Sequence, residues 1–156
     1  MTDSEPVNLE IMIEASPETV FEFFVDPGLM RTWMGDHAVL EPRVGGSFAV
    51  DIGNNHVRGS FVDLQPPERV VFTWGWEGSD IVPPGSSTVT FIFEAREGGT
   101  LVRLIHSDLP TGEDFRHTQG WNHYLGRLTK AAIGDDPGPD PLEVGQGMHD
   151  QPTGES

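Results

Sequence analysis

Histidines and tryptophans are the side chains of this sequence best suited to chemistry. His106 ends an alternating segment and shares a face with Val102 and Leu104, whereas His117 lies in a segment of helical periodicity. A neutral imidazole hydrogen-bonds a ligand or exchanges a proton near pH 7. The alternative, purely structural interpretation is that His106 hydrogen-bonds the backbone or Asp108.

Other catalytic or metal chemistry has little support in the residue pattern. His117 and His123 are six residues apart and diverge around a helix, so they do not form a metal-binding pair. The chain has no cysteine and no serine in a nucleophile-elbow context. His106 with Tyr124 is the one acid–base pair that the sequence suggests. We therefore assign no catalytic residue and expect neither a metal nor a cofactor.

The tryptophans are candidates for the wall of a cavity, because a buried indole N–H needs a hydrogen-bond partner and is costly as mere filler. Aromatic walls with a few polar groups suit an apolar or aromatic ligand. Lining a true cavity and filling a packed core remain equal alternatives. The predicted ligand-contacting residues are Trp33, Phe48, Trp74, Trp76, Phe91, Phe93, Leu104, His106, His117, Trp121, Tyr124 and Leu125.

Composition limits the class of partner. The chain has 156 residues and a formal net charge of −16, which disfavours binding to nucleic acid or to an anionic membrane surface. No signal peptide and no apolar run of about 20 residues is recognisable, and cysteine is absent, so we expect a cytoplasmic protein. Eight of the nine basic residues are arginine, which favours a bacterial genome of high GC content.

The final segment, residues 134–156, differs in composition from the rest. It holds four prolines, several glycines, six acids and no Lys or Arg, a formal −6 of the total −16. Its low apolar content predicts a disordered acidic tail, which leaves residues 1–133 as one domain.

Periodicity predicts a strand at 7–14, two short helices between 16 and 35, six further strands, and a helix at 114–133. The strands are predicted at 37–44, 47–52, 56–65, 66–76, 87–95 and 100–109. The facing of the 56–65 strand is ambiguous because Phe61 and Val62 are both apolar. On the last helix, one stripe joins His117, Trp121, Tyr124, Leu125, Leu128, Ala131 and Ala132.

These elements predict an α+β fold. Six strands joined by short loops form an antiparallel meander, and the first strand pairs at an edge. The long last helix then covers one face of a curved sheet of about seven strands. The inward aromatic residues would lie between the helix and the sheet.

The sequence resembles the SRPBCC superfamily, and more narrowly the domain named for activators of the heat-shock-protein-90 ATPase. The resemblance covers about residues 7–133 and rests on the segments ASPETVFEFFVDP, RTWMG, VGGSF, PPERVVFTW, SSTVTFIFE, GGTLVRLIHSDL and GWNHYLGRL. It implies a helix-grip fold. Met34 stands where the family has a second aromatic residue after Trp33.

Three functions follow as hypotheses. The leading one is a protein that holds an apolar or aromatic small molecule between the sheet and the last helix. The resemblance also implies two alternatives, an enzyme of the cyclase or hydrolase kind and a co-chaperone-like interaction module. A homodimer is a further open alternative.

Overall fold

The computed structural model describes residues 6–138, which form a seven-stranded antiparallel sheet and three helices. The strands are β1 (Val7–Ile13), β2 (His37–Leu40), β3 (Ser47–Ile52), β4 (Asn55–Gln65), β5 (Arg69–Trp74), β6 (Ser87–Arg96) and β7 (Gly99–Ser107). The helices are α1 (Pro17–Val25), α2 (Pro27–Met30) and α3 (Glu113–Ala132). The predicted α+β helix-grip fold is confirmed, with its two short helices after the first strand.

The sheet order is β1-β7-β6-β5-β4-β3-β2, so β2 to β7 form a meander. The first strand joins at the edge beside the last one, in a register that runs from Val7 opposite His106 to Ile13 opposite Thr100. The predicted edge position of β1 is confirmed. This arrangement places the start of β1 beside the end of β7, where His106 lies.

Local capping explains where the short helices begin. Ser16 caps α1 by accepting a hydrogen bond from the backbone N–H of Thr19, and Pro17 takes the first helical position. Asp26 ends α1 and caps α2 through the N–H groups of Gly28 and Leu29. The long helix α3 begins differently, because its N-cap is Gly112, in the left-handed region at φ 93° with no side-chain cap.

Several predicted boundaries differ from the structure, among them the second short helix, which ends at Met30. The strand predicted at 37–44 ends at Leu40, and a tight turn through residues 41–46 follows it. The strand predicted at 66–76 is shorter, because β5 ends at Trp74 and Trp76 forms an isolated bridge with Val57. The last helix spans Glu113–Ala132, one residue earlier than predicted.

The core lies between α3, α1 and the inward face of the sheet. Each of β5, β6 and β7 alternates buried and partly exposed side chains, as a half-buried strand must. The predicted stripe of α3 from His117 to Ala132 is buried. A register shift in β4 between Phe61 and Asp63 buries Phe61 and leaves Val62 47% exposed, which answers the facing that the sequence left ambiguous.

The predicted tail lies outside the described residues beyond Gly138, so its predicted disorder remains a prediction. Among the helices of residues 6–138, none combines the length and apolar character required to cross a membrane.

Candidate functional site

The side chains predicted to contact a ligand are all buried, at 2% exposure or less. Seven of them belong to two aromatic groups at the sheet–helix interface. One group, here called the phenylalanine cluster, comprises Phe21, Phe24, Phe91 and Phe93. The other, here called the Trp–His cluster, comprises Trp74, Trp76, His106, His117 and Trp121.

The phenylalanine cluster is a packed hydrocarbon contact between α1 and the sheet. Phe24 lies 4.4 Å from Phe91 and 5.2 Å from Phe93, measured between ring centroids. Phe21 meets the edge of Phe93 at 6.0 Å. Phe48, a predicted ligand contact, continues this packing by stacking on Phe72 at 3.9 Å. These separations are those of ordinary aromatic packing.

Trp33, another predicted ligand contact, lies at the phenylalanine end and not beside the histidines. Its ring is 5.2 Å from Phe24, and its indole N–H donates to the carbonyl of Phe23 at 3.1 Å. Its own carbonyl accepts a hydrogen bond from Nε of Arg127 at 3.0 Å. This tryptophan is therefore satisfied within the protein.

The Trp–His cluster lies at the other end of β6, where four elements meet. Trp74 ends β5, His106 lies near the end of β7, and His117 and Trp121 are one turn apart on α3. Ser87 begins β6 opposite Trp74 and belongs to the hydrogen-bond network of the cluster. The rings of His106 and His117 meet here, with centroids 5.1 Å apart and planes at 87°.

A directed chain of hydrogen bonds fixes the tautomer of His106. The indole N–H of Trp121 donates to Nδ1 of His106 at 3.0 Å, so Nδ1 carries no proton. The neutral ring therefore carries its proton on Nε2 and donates it to Oγ of Ser87 at 2.8 Å. Ser87 in turn donates to the carbonyl of Trp74 at 2.8 Å. Each group in this chain has one defined role.

A second bond crosses the same interface in the opposite direction. The indole N–H of Trp76, on the sheet side, donates to Nε2 of His117 on the helix at 3.3 Å. Nδ1 of His117 then donates to the carbonyl of Glu113 at 2.8 Å. Sheet and helix thus each supply one tryptophan donor and one histidine acceptor. Protonating an acceptor nitrogen would place two N–H groups against each other.

Burial lowers the pKa of His106 well below its usual range, because a charged imidazole loses its hydration there. The neighbouring His117 lowers it further through charge repulsion. His106 is therefore neutral in the folded protein at neutral pH. A fully buried neutral imidazole of this kind serves as a fixed hydrogen-bonding group and not as a surface proton donor.

Trp74 is the exception in this network. Its side chain is 0% exposed, and its indole Nε1–H is buried with no hydrogen-bond partner within residues 6–138. The ring lies 5.0 Å from Trp121, 5.4 Å from Trp76 and 5.8 Å from His106. An unpaired buried donor costs about 1–3 kcal/mol and in native proteins calls for an explanation.

The hydrogen-bond directions argue against nucleophilic catalysis by Ser87. A serine nucleophile needs a base that accepts its proton, but Nε2 of His106 donates to Ser87. The structural alternative for His106, a hydrogen bond to the backbone or to Asp108, was wrong. Its ring nitrogens instead bond to Ser87 and Trp121. Asp108 instead accepts from Oγ1 of Thr88 at 3.3 Å. Since both ring nitrogens of His106 are in use, a direct hydrogen bond from Tyr124 is excluded.

Sequence reasoning missed two positions that shape the cluster. Ser87 was considered only as a nucleophile, although strand alternation with Val89 and Phe91 places it on the inward face. Gly75 was treated only as an outward-facing strand residue, yet a Cβ there would collide with the carbonyl of Pro83, so only glycine lets the following loop fold back. That close approach directs Trp76 onto His117. The role of Gly75 is not recognisable from the sequence because its contact with Pro83 depends on how the loop between them folds.

The described surface grooves lie away from both clusters. One of them has a volume of about 560 Å³ and lies between α2 and the end of α3, and none of the predicted ligand-contacting residues lines it. Within the same residues, no group of three or more His, Asp or Glu side chains is placed to hold a metal ion.

Comparison with known proteins places the chain in a family. The profile described as Activator of Hsp90 ATPase homolog 1-like protein matches residues 14–132. The human Activator of 90 kDa heat shock protein ATPase homolog 1 is 30% identical over 129 residues, which cover 82% of this chain. The matched part is only 37% of that relative's length.

Solved structures agree with the fold. An AHSA1-like protein from Rhizobium etli is 42% identical, with a TM-score of 0.69 over 90% of this chain and 92% of that one. An Aha1 dimer from Colwellia psychrerythraea matches with a TM-score of 0.71 over 83% of this chain and 96% of that one. At 22% identity the latter likeness concerns the fold alone. Profile, relatives and topology together show that this chain belongs to the family of Activator of Hsp90 ATPase homolog 1-like proteins.

Proposed function

We propose that the protein binds a compact, uncharged aromatic molecule at the Trp–His cluster, between the sheet and the first half of α3. The observation that carries this proposal is the unpaired indole N–H of Trp74 at the centre of the cluster. A ligand oxygen that accepts this hydrogen would remove the cost of the orphaned donor. Indole rings on two sides would stack on the rest of the molecule.

The chemistry of the cluster selects an uncharged ligand. His106 stays neutral, the cluster contains no Lys or Arg, and the buried carboxylate at its edge, Glu113, already lies 3.8 Å from Nδ1 of His117. Burying an unpaired charge is far more costly than burying a carbonyl or hydroxyl oxygen. Aromatic ketones, esters and phenols therefore fit better than acids or amines.

Entry of a ligand requires the first half of α3 to move, since the rings of the cluster contact one another and are buried. This half begins at Gly112 without a side-chain cap. The second half is tied to the α2 region by the hydrogen bond from Arg127 to the carbonyl of Trp33. An uncapped helix start is the less stable end, so opening there leaves the phenylalanine cluster intact.

The test compares two tryptophan variants of equal volume change. Trp74→Phe removes the unpaired donor, and Trp76→Phe removes a donor that already has a partner. A set of neutral fluorinated aromatic ketones and phenols is screened by ¹⁹F NMR against both variants and the unmodified protein. We expect Trp74→Phe to weaken binding about tenfold more than Trp76→Phe does. Equal affinity in both variants, or no saturable binding by any compound, would contradict the proposal.

A second candidate function rests on the human relative, whose name assigns it to activation of the 90 kDa heat shock protein ATPase. We propose as the alternative that the chain contacts such an ATPase through an exposed surface that includes Phe115. This side chain is 69% exposed in the first turn of α3, and aromatic residues are enriched in protein interfaces. The test measures ATP hydrolysis by a purified 90 kDa heat shock protein with the chain and with Phe115→Ser. A rate that saturating chain leaves unchanged would contradict this alternative.

A further inference from the structure

The groove between α2 and the end of α3 is distinct from the Trp–His cluster. Its volume is about 560 Å³, which lies within the usual range for small-molecule sites. Phe23, Leu29 and Ala131 give it apolar surface. Gly35 also lines it, at φ +86°, where an added Cβ would meet Val50 and the carbonyl of Asp51. Glycine thus keeps this wall of the groove thin against β3.

Two arginines line this groove, one from each side. Arg31 follows α2, and Arg127 lies on α3. Within residues 6–138, neither has an Asp or Glu oxygen within 4.0 Å. Elsewhere on the surface, ion pairs with carboxylates are made by Arg43, Arg58, Arg69, Arg96 and Arg103. In a chain with 25 acidic and 9 basic residues, two unpaired arginines in one groove need a reason.

Arg127 is oriented for recognition. Its Nε donates to the carbonyl of Trp33 at 3.0 Å, which fixes the plane of the half-buried guanidinium. Among the hydrogen bonds described for residues 6–138, none uses its two terminal amino groups. A guanidinium held in this way presents a fork that matches the two oxygens of a carboxylate.

Three aspartates limit the charge of the ligand. Asp36, Asp135 and Asp136 also line the groove, so its formal charge is two positive and three negative, or −1. This surplus repels a dianion such as a phosphate monoester about twice as strongly as a monoanion. A single carboxylate between the arginines, with an uncharged apolar remainder, satisfies both the fork and the apolar surface.

We propose that this groove binds a small organic monocarboxylate, with its carboxylate on Arg127 and Arg31 and its apolar part against Phe23, Leu29 and Ala131. The site is independent of the ligand proposed for the Trp–His cluster, because it shares no residue with that cluster. It also differs in chemistry, since it takes an anion where the cluster takes a neutral molecule.

The experiment uses 4-fluorophenylacetate as the probe and follows its ¹⁹F resonance as the full chain is titrated. Arg31→Gln removes one charge from an exposed position, and Arg127→Lys keeps the charge but loses the fork. Arg43→Gln, the control, makes the same charge change at an exposed arginine away from the groove. We expect saturable binding that weakens about fivefold in Arg31→Gln and Arg127→Lys and does not change in Arg43→Gln. Thermal midpoints of all variants establish that each one is folded.

Three further results decide the proposal. The neutral amide 4-fluorophenylacetamide should not bind, and His106→Gln should bind the acid as the unmodified protein does. Equal binding of acid and amide, an equal loss in Arg43→Gln, or no saturation up to about 10 mM acid would overturn it. Loss of binding in His106→Gln alone would move the acid to the Trp–His cluster and would equally overturn the groove site.

Discussion

The phenylalanine cluster and the Trp–His cluster both consist of buried aromatic side chains but differ in whether those side chains carry nitrogen. At one end, Phe24 packs on Phe91 and Phe93 with nothing left to hydrogen-bond. At the other end, indoles and imidazoles form a network with one donor, on Trp74, left over. Both ends are buried, one against Phe91 and Phe93 of β6 and the other beside Ser87 at the start of the same strand. Burial alone therefore does not distinguish core from candidate site, whereas the balance of donors and acceptors does.

The same comparison extends to the helix that covers both ends. The second half of α3 is joined to the loop after α2 by Arg127, while the first half starts at an uncapped glycine and is held by the crossed tryptophan–histidine bonds. These bonds exist only while both histidines accept. The stable end depends on apolar contacts, and the other end depends on a protonation state.

The largest expected effect is at the phenylalanine end. Phe24→Ala should lower the free energy of unfolding by about 3–5 kcal/mol, because it removes a ring that contacts two others and leaves a cavity. Chemical denaturation measures this loss, and binding of a neutral ligand below the transition should persist. A loss below about 1 kcal/mol would mean that this end is not the packed core inferred here.

The next effect separates paired from unpaired donors. Trp76→Phe and Trp74→Phe lose the same atoms from sites at most 1% exposed. Only Trp76→Phe removes a donor that is in use, because the indole N–H of Trp76 donates to Nε2 of His117. Denaturation should therefore show Trp76→Phe less stable than Trp74→Phe by about 1–3 kcal/mol. The reverse order would show that the Trp74 donor is satisfied in solution.

Acid should weaken the Trp–His end specifically. An exposed histidine titrates near pH 6.5, and the pKa of folded His106 is well below that value. Between these values, only the unfolded state binds the proton. The contribution of His106 to stability is thus complete above pH 6.5. It falls by up to about 1.4 kcal/mol per pH unit as the pH drops below 6.5, until the folded ring titrates.

Denaturation at a series of pH values measures this slope. His106→Gln should reduce it by about one proton. Two titratable groups face His106 or its neighbour. His117 contacts His106, and Oε1 of Glu113 lies 3.8 Å from Nδ1 of His117. An unchanged slope in His106→Gln would assign the acid sensitivity to these neighbours and remove His106 from the comparison.

The smallest effect concerns the acidic tail. Deleting residues 139–156 should change the free energy of unfolding by less than about 0.5 kcal/mol, because that segment has too little apolar content to offset the entropy of ordering it. Both clusters would then be properties of the domain alone. A larger change, measured by thermal unfolding in low salt and high salt, would show that the tail contributes to one of them.

Much of the fold followed from local patterns in the sequence. Ser16 and Pro17 start α1 because capping depends on neighbouring residues, and the inward faces of β5 to β7 follow from a period of two. The helix stripe from His117 to Ala132 followed from a period of 3.6. Local patterns could not show which of Phe61 and Val62 faces inward, because the bulge that separates them depends on pairing with β5.

Sequence alone determined that His106, His117, Trp74 and Trp121 face the interior. Only the tertiary structure decided which of them hydrogen-bond, because β5, β6, β7 and α3 bring residues 74, 87, 106 and 121 together from distant parts of the chain. The tautomer of His106 and the unpaired donor of Trp74 both depend on those contacts. Periodicity assigns a side chain to a face, but a hydrogen bond requires a distance and a direction that only packing of the whole chain supplies.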